Sequence, residues 1–173
     1  EASTNLSALH TNRTNPKRIA AKASIIFNLF YFYFTINLAF FYFHCMILLK
    51  TIAALSLGAS FGATLRFLFE KYLNSVFSSV HLGTLSANLL GGFLIGIAFS
   101  FFAKNPDIAP EWRIFVITGF LGGLTTFSSF SVETTVLLQQ GHYSSALLVI
   151  GLHVVGSLIL TACGFALFSL LKM

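Results

Sequence analysis

The sequence predicts an all-α membrane protein with four transmembrane helices, the third of them broken. Three observations carry this. The chain is 56% hydrophobic and 9% charged, with a mean hydropathy of +0.85, whereas soluble domains average about 25% charged. From Met46 onward, four apolar runs long enough to cross a bilayer are separated by short polar connections. The third run contains Gly119-Phe120-Leu121-Gly122-Gly123-Leu124-Thr125-Thr126-Phe127-Ser128-Ser129-Phe130, with three glycines and four hydroxyl residues in twelve positions. Glycine weakens a helix by about 1 kcal/mol against alanine. In lipid, released backbone groups are tolerated only where they are buried in protein or face a cavity. The run is therefore expected to interrupt a transmembrane helix and to build the functional site.

The chain divides at Met46 into an N-terminal extension, 1–45, and a main domain, 46–173. Residues 1–23 are polar, hold Arg13, Lys17, Arg18 and Lys22, and contain nothing that reads as a packed element. Residues 24–45 form a further hydrophobic segment, crowded with Phe, Tyr and Ile. Three readings of it stand open. It is an additional transmembrane helix, an uncleaved signal-like anchor, or upstream sequence translated ahead of a true start at Met46.

The first run of the main domain, about Met46 to Phe69, carries Gly58 and Gly62 at the G-x-x-x-G spacing. Small residues so spaced let helices approach closely in membranes. Arg66 near its end reads first as a side chain snorkelling to the interface. The second run, about Gly83 to Ala103, carries Asn88, then Gly91, Gly92 and Gly96. A carboxamide inside an apolar span is satisfied by a neighbouring helix or lines a polar cavity, and the sequence leaves both open. Lys104 to Trp112 is a loop, with Trp112 placed as an interfacial anchor. The third run, about Arg113 to Leu138, holds the glycine-hydroxyl stretch and then Glu133. An acid within a span is a functional candidate. Its distance from Arg113 puts it near the far interface, so a solvated acid and a proton carrier both stand. In the fourth run, about Ser145 to Leu171, His153, Ser157 and Thr161 share one helix face. Hydrogen bonding to neighbouring helices and a polar track are both open for that face.

Several function classes have no support. From Met46 onward six basic residues face four acidic ones, so a nucleic-acid role is not indicated. Cys45 and Cys163 are far apart, and no zinc spacing or disulfide framework is present; both are expected to be buried small hydrophobes. There is no Ser/His/Asp or Cys/His pattern, no paired intramembrane carboxylates and no phosphate-binding loop, so the chain is not expected to be an enzyme. The basic residues flanking the runs give only a weak orientation bias, which permits insertion either way round. A small helical bundle with a broken span fits a channel for something small.

Three motifs, Gly58-x-x-x-Gly62-Ala63-x-x-Arg66, Gly83-Thr84-Leu85-x-x-Asn88-x-x-Gly91-x-Phe93-x-x-Gly96 and the Gly119–Phe130 run, give residues 46–173 a resemblance to the Fluc/CrcB family of fluoride channels. The resemblance implies an antiparallel, dual-topology homodimer of four-helix subunits, multi-pass in the bacterial inner membrane. It implies a structural sodium ion at the dimer centre, held by backbone carbonyls of Gly122 and Thr125. It places Phe127 and Phe130 in the fluoride path, with Asn88 as a donor and Arg66 at the vestibule. Ser128, Ser129 and Glu133 are further candidates for that path, and Gly58, Gly62, Gly91 and Gly92 are assigned to helix packing. The implied function is passive, selective efflux of fluoride, with lipid, fluoride and a second copy as partners. The family's fourth helix carries a tyrosine in its polar track, and no tyrosine of this chain matches it. A rival from another class is a small four-helix, proton-coupled carrier of small cations, which would depend on Glu133. A membrane scaffold whose glycines serve packing alone is the third reading.

Overall fold

The computed structural model describes residues 16–75 and 81–171, with only the backbone given for Pro16, Arg18 and Ile19. Expectations for residues 1–15, 76–80 and 172–173 lie outside the described residues. Every element among the described residues is helical: α1 (Pro16–Leu73), α2 (Leu82–Lys104), α3 (residues 110–124), α4 (Phe127–Gln139) and α5 (Tyr143–Leu171). Four stretches are long and apolar enough to cross a membrane, namely Ala20–Leu73, Leu82–Lys104, Pro110–Gln139 and Tyr143–Leu171.

The chain divides after Leu48 into two compact units. In the first unit, the described chain is helical from Pro16 onward, although the polar composition of residues 1–23 suggested no packed element there. Proline suits a first helical turn, and the alanines and lysines that follow are good helix formers. The described side chains of this unit are exposed. Its polar groups bond back to their own turns, with Thr35 Oγ1 donating to the Tyr31 carbonyl at 2.8 Å and Asn37 Nδ2 to that of Tyr33 at 2.7 Å. Residues 24–45 are thus apolar all round, the pattern of a membrane span. Sequence reading separates this segment from the run after Met46, but α1 covers both, and no glycine or proline lies between residues 17 and 57 to end it.

In the second unit, α1 packs on α3 through glycine. A Cβ at Gly58 would strike the Phe115 carbonyl, and one at Gly62 the Phe120 carbonyl. From the facing side, a Cβ at Gly123 would meet the Ala59 carbonyl at 2.7 Å. The backbones are therefore in contact, which is how helices associate where lipid removes the hydrophobic drive. Gly96 and Gly164 do the same for α2 and α5. Beside them Thr161 Oγ1 donates to the Gly92 carbonyl at 2.8 Å, and Gly91 lies against the Thr125 methyl. Ala87, Leu121 and Leu124 form the buried centre between α2 and α3, with Leu65 and Phe69 of α1 against it. Phe130, Leu137, Ala146 and Val149 close α4 on α5.

The α4–α5 connection turns on Gly141, which has φ 75°. His142 N–H bonds the Leu137 carbonyl at 2.9 Å and Gly141 N–H that of Leu138 at 3.1 Å, the glycine-ended cap that satisfies a helix's last carbonyls. Two segments are wound more widely, with i→i+5 bonding: Ile114–Leu121 in α3 and Leu152–Gly156 in α5. Trp112 at the start of α3 is 61% exposed, in keeping with an interfacial anchor. Both cysteines are exposed rather than buried. They lie on apolar stretches, where an outward side chain meets no penalty in lipid.

Candidate functional site: the break between α3 and α4

The third span breaks at Thr125–Thr126. Both residues are extended, with φ/ψ of −81°/152° and −144°/118°. The glycines are not the breaking point. Gly122 is helical at φ/ψ −65°/−35°, while Gly119 and Gly123 give α1 its close approach. Helix restarts because Thr126 caps α4. Its Oγ1 accepts from Ser129 N–H at 3.2 Å, the usual service of a hydroxyl residue at a helix start. That hydroxyl also lies within 3.1 Å of Ser128 Oγ and 3.2 Å of Ser129 Oγ.

A break inside a span leaves a peptide that needs partners, and Asn88 of α2 supplies both. Its Oδ1 accepts from Thr126 N–H at 2.7 Å, and its Nδ2 donates to the Thr126 carbonyl at 2.9 Å. Either group left unpaired would cost about 1–3 kcal/mol. Asn88 Nδ2 also lies 3.0 Å from His153 Nδ1. His153 is buried and stacks on Phe130, with ring centroids 4.9 Å apart at 28°. Phe130 in turn meets Phe127 edge to face. The sequence could not join Asn88 to His153, which lie 65 residues apart.

The same bonding frees carbonyls. In an unbroken helix Thr126 N–H would serve the Gly122 carbonyl and Ser129 N–H that of Thr125. Here the first goes to Asn88 and the second to the Thr126 hydroxyl. The break also takes the helical donors from the Gly123 and Leu124 carbonyls, so four successive oxygens, Gly122 to Thr125, lose their helical partners, and oxygens are what a hard cation takes. Arg66 reaches the break as well, rather than only snorkelling to an interface. Its Nε donates to the Gly123 carbonyl at 3.2 Å, and a terminal nitrogen sits 3.6 Å from Glu70.

Most of the sequence-predicted site residues border one of two cavities near the break. One, of about 460 Å³, is lined by Asn88, Gly122, Thr125, Phe127, Phe130 and His153, among others. Gly91, Gly92, Ser157 and Thr161 also border it. The other, of about 600 Å³, holds Ser128, Ser129 and Glu133 with Glu70, Asn74 and His81. Arg66 lines neither cavity.

Glu133 is buried, not solvated at an interface. Its Oε1 accepts from His81 N–H at 2.9 Å and lies 3.1 Å from His81 Nδ1. Asn74 performs a parallel service nearby, its Oδ1 accepting from Gly83 N–H at 2.8 Å. The start of α2 is thus held by side chains from α4 and from just past α1. Sequence reasoning did not pick out His81 or Asn74. A polar residue placed just outside an apolar run was their only signal.

The family described as "CrcB-like protein, Camphor Resistance (CrcB)" matches residues 53–165. The chain belongs to the CrcB-like family. The match spans the break, Asn88, Arg66, both phenylalanines and His153. A Tolumonas auensis relative is 57% identical over 125 residues, covering 72% of this chain and 98% of that protein. A Pseudomonas putida relative is 52% identical over 121 residues, covering 70% and 95%. One from Nitrosomonas europaea is 50% identical over 117 residues, covering 68% and 92%. Each of the three is named fluoride-specific ion channel FluC. Family membership and four apolar helices make this chain a multi-pass membrane protein and not an enzyme.

Proposed function

We propose that the chain forms a fluoride-selective channel for passive efflux of cytoplasmic fluoride. The observation that carries the reading is the likeness to relatives named as fluoride-specific channels over nearly their whole length. The geometry of the break supports it. Phe127 and Phe130 meet edge to face and both border the 460 Å³ cavity, and ring edges carry the positive end of the aromatic quadrupole. Edges of this kind attract a partly dehydrated anion without the fixed charge that would trap it. Arg66 adds positive potential near the break. Ser128, Ser129 and Glu133 extend the polar route on the other side.

The channel is proposed as an antiparallel, dual-topology homodimer in the bacterial inner membrane. Phe127, 77% exposed in the single chain, is the side chain a second copy would cover. A sodium ion is proposed at the Gly122 and Thr125 carbonyls. These two carbonyls of one chain are too few to enclose a cation, so the site calls for two copies. When bound, the ion supplies a fixed positive charge at the dimer axis.

The decisive experiment is efflux from liposomes that contain the purified protein. Fluoride is expected to leave, and chloride to stay. Absence of fluoride flux would refute the channel. Burial of Glu133 is the one observation that favours the rival proton-coupled carrier of small cations. Against it, that carboxylate is engaged by His81 at the start of α2. Flux of cations in exchange for protons, with fluoride retained, would establish the rival instead.

A further inference from the structure

The two contacts between Asn88 and Thr126 settle which end of the carboxamide is which. A peptide offers one donor and one acceptor, so turning the amide over would set N–H against N–H. The nitrogen that lies 3.0 Å from His153 Nδ1 is therefore a donor. One of its hydrogens goes to the Thr126 carbonyl and the other to His153. Nδ1 must then accept. A neutral imidazole that accepts at one nitrogen carries its hydrogen on the other. The hydrogen of His153 accordingly sits on Nε2. That atom is buried, finds no hydrogen-bond partner among the described residues, and belongs to a residue 5% exposed. The ring has little freedom, being stacked on Phe130. It borders the same cavity as Phe127, Gly122 and Thr125.

We propose that Asn88 is a positioning residue that fixes His153 as the Nε2–H tautomer, so that the imidazole offers the permeating anion a donor instead of a lone pair. The proposal rests on the channel reading above. Both hydrogens of Asn88 are engaged by protein, at Thr126 and at His153. The carboxamide takes its own orientation from the broken backbone and passes it to the histidine. The tie from Thr126 through Asn88 to His153 thus converts a helix break into a defined proton position.

The test is ¹⁵N NMR of the full chain, labelled at histidine, in lipid bilayers, with a His153→Gln sample to identify the signals of His153. Wild type is expected to show Nδ1 without hydrogen and Nε2 with it. Adding sodium fluoride, against sodium chloride as control, is expected to move the Nε2–H signal. In Asn88→Asp, whose carboxylate only accepts, hydrogen is expected on Nδ1, with fluoride flux down at least tenfold at neutral pH. Hydrogen on Nδ1 in wild type overturns the proposal, as does a wild-type pattern retained in Asn88→Asp. An Nε2–H signal indifferent to fluoride overturns the donor role. Should Asn88→Asp not fold, the wild-type spectrum still decides. The tautomer is read without any transported ion, so its failure is distinct from absence of fluoride flux, which would sink the channel reading instead.

Discussion

Phe127 and Phe130 meet edge to face with ring centroids 5.4 Å apart at 64°, yet the first is 77% exposed and the second 8%. The pair therefore separates function from folding. Phe130 packs with Leu137, Ala146 and Val149, while Phe127 gives the single chain little. Phe127→Ile is expected to cut fluoride flux at least tenfold, with a stability cost well below that of Phe130→Ala. Phe130→Ala is expected to cost about 3–5 kcal/mol, as large-to-small core changes do. A thermal or denaturant series on both variants, beside liposome flux, checks the split. Wild-type flux in Phe127→Ile would remove that ring from the path.

The α1–α3 contact makes a second prediction. At Gly58 and Gly62 the atoms in the way are backbone, which cannot swing aside as a side chain can. Gly62→Val is expected to destabilise at or beyond the upper end of the roughly 1–3 kcal/mol typical of overpacking. A Cβ added at Gly151, which lies within a helix, would meet nothing within 4 Å. Gly151→Ala is expected to be neutral, or to stabilise by up to about 1 kcal/mol. Equal loss in the two variants would show that the contact does not hold the span.

Thr126→Val keeps the branched shape but removes the cap. The expected cost is about 0.5–2 kcal/mol. Ser129 N–H loses its acceptor, so amide hydrogen exchange at Ser129 and Phe130 should speed up while that at the centre of α2 does not. Unchanged exchange there would mean that the hydroxyl does not hold the restart of the helix.

Glu133→Gln retains an acceptor for His81 N–H but loses the charge. Little change in stability is expected, since the His81 side chain that faces it is 53% exposed. Fluoride flux is expected to stay within a few-fold of wild type. Glu133→Ala removes the acceptor and should loosen the start of α2, visible as faster exchange at His81. Loss of all transport in the Gln variant would favour the proton-coupled carrier.

The spans were legible because each is an apolar run bounded by polar or charged residues, and that boundary is chemical before it is structural. Their exact ends were not, since caps set them: Tyr143 begins α5 just past the Gly141 turn, two residues ahead of the apolar run. The break lay within the expected twelve residues, but its cause differed. Glycine lowers helix propensity, yet packing on α1 keeps Gly119 and Gly123 helical, and capping by Thr126 decides where the chain opens. Both roles weighed for Asn88 bear on one residue, which bonds to neighbours and borders a cavity. Its partners are 38 and 65 residues away, beyond any local pattern. Glu133 read as interfacial by counting along its helix. It is buried because the start of α2 folds over it.

The two widely wound segments flank this site in the chain, one ending at Leu121 and the other containing His153. An α-helix advances about 100° per residue. Such wide turns hold one residue more per turn than their neighbours need. They act as phase shifters, and everything after them is rotated relative to a regular helix. Deleting a single residue from Ile114–Leu121 would let that stretch revert to ordinary winding. The polarity and hydrophobicity of the span would survive almost untouched. The azimuth of Gly122, Thr125 and Phe127 would not, and those three residues would point at the wrong neighbour.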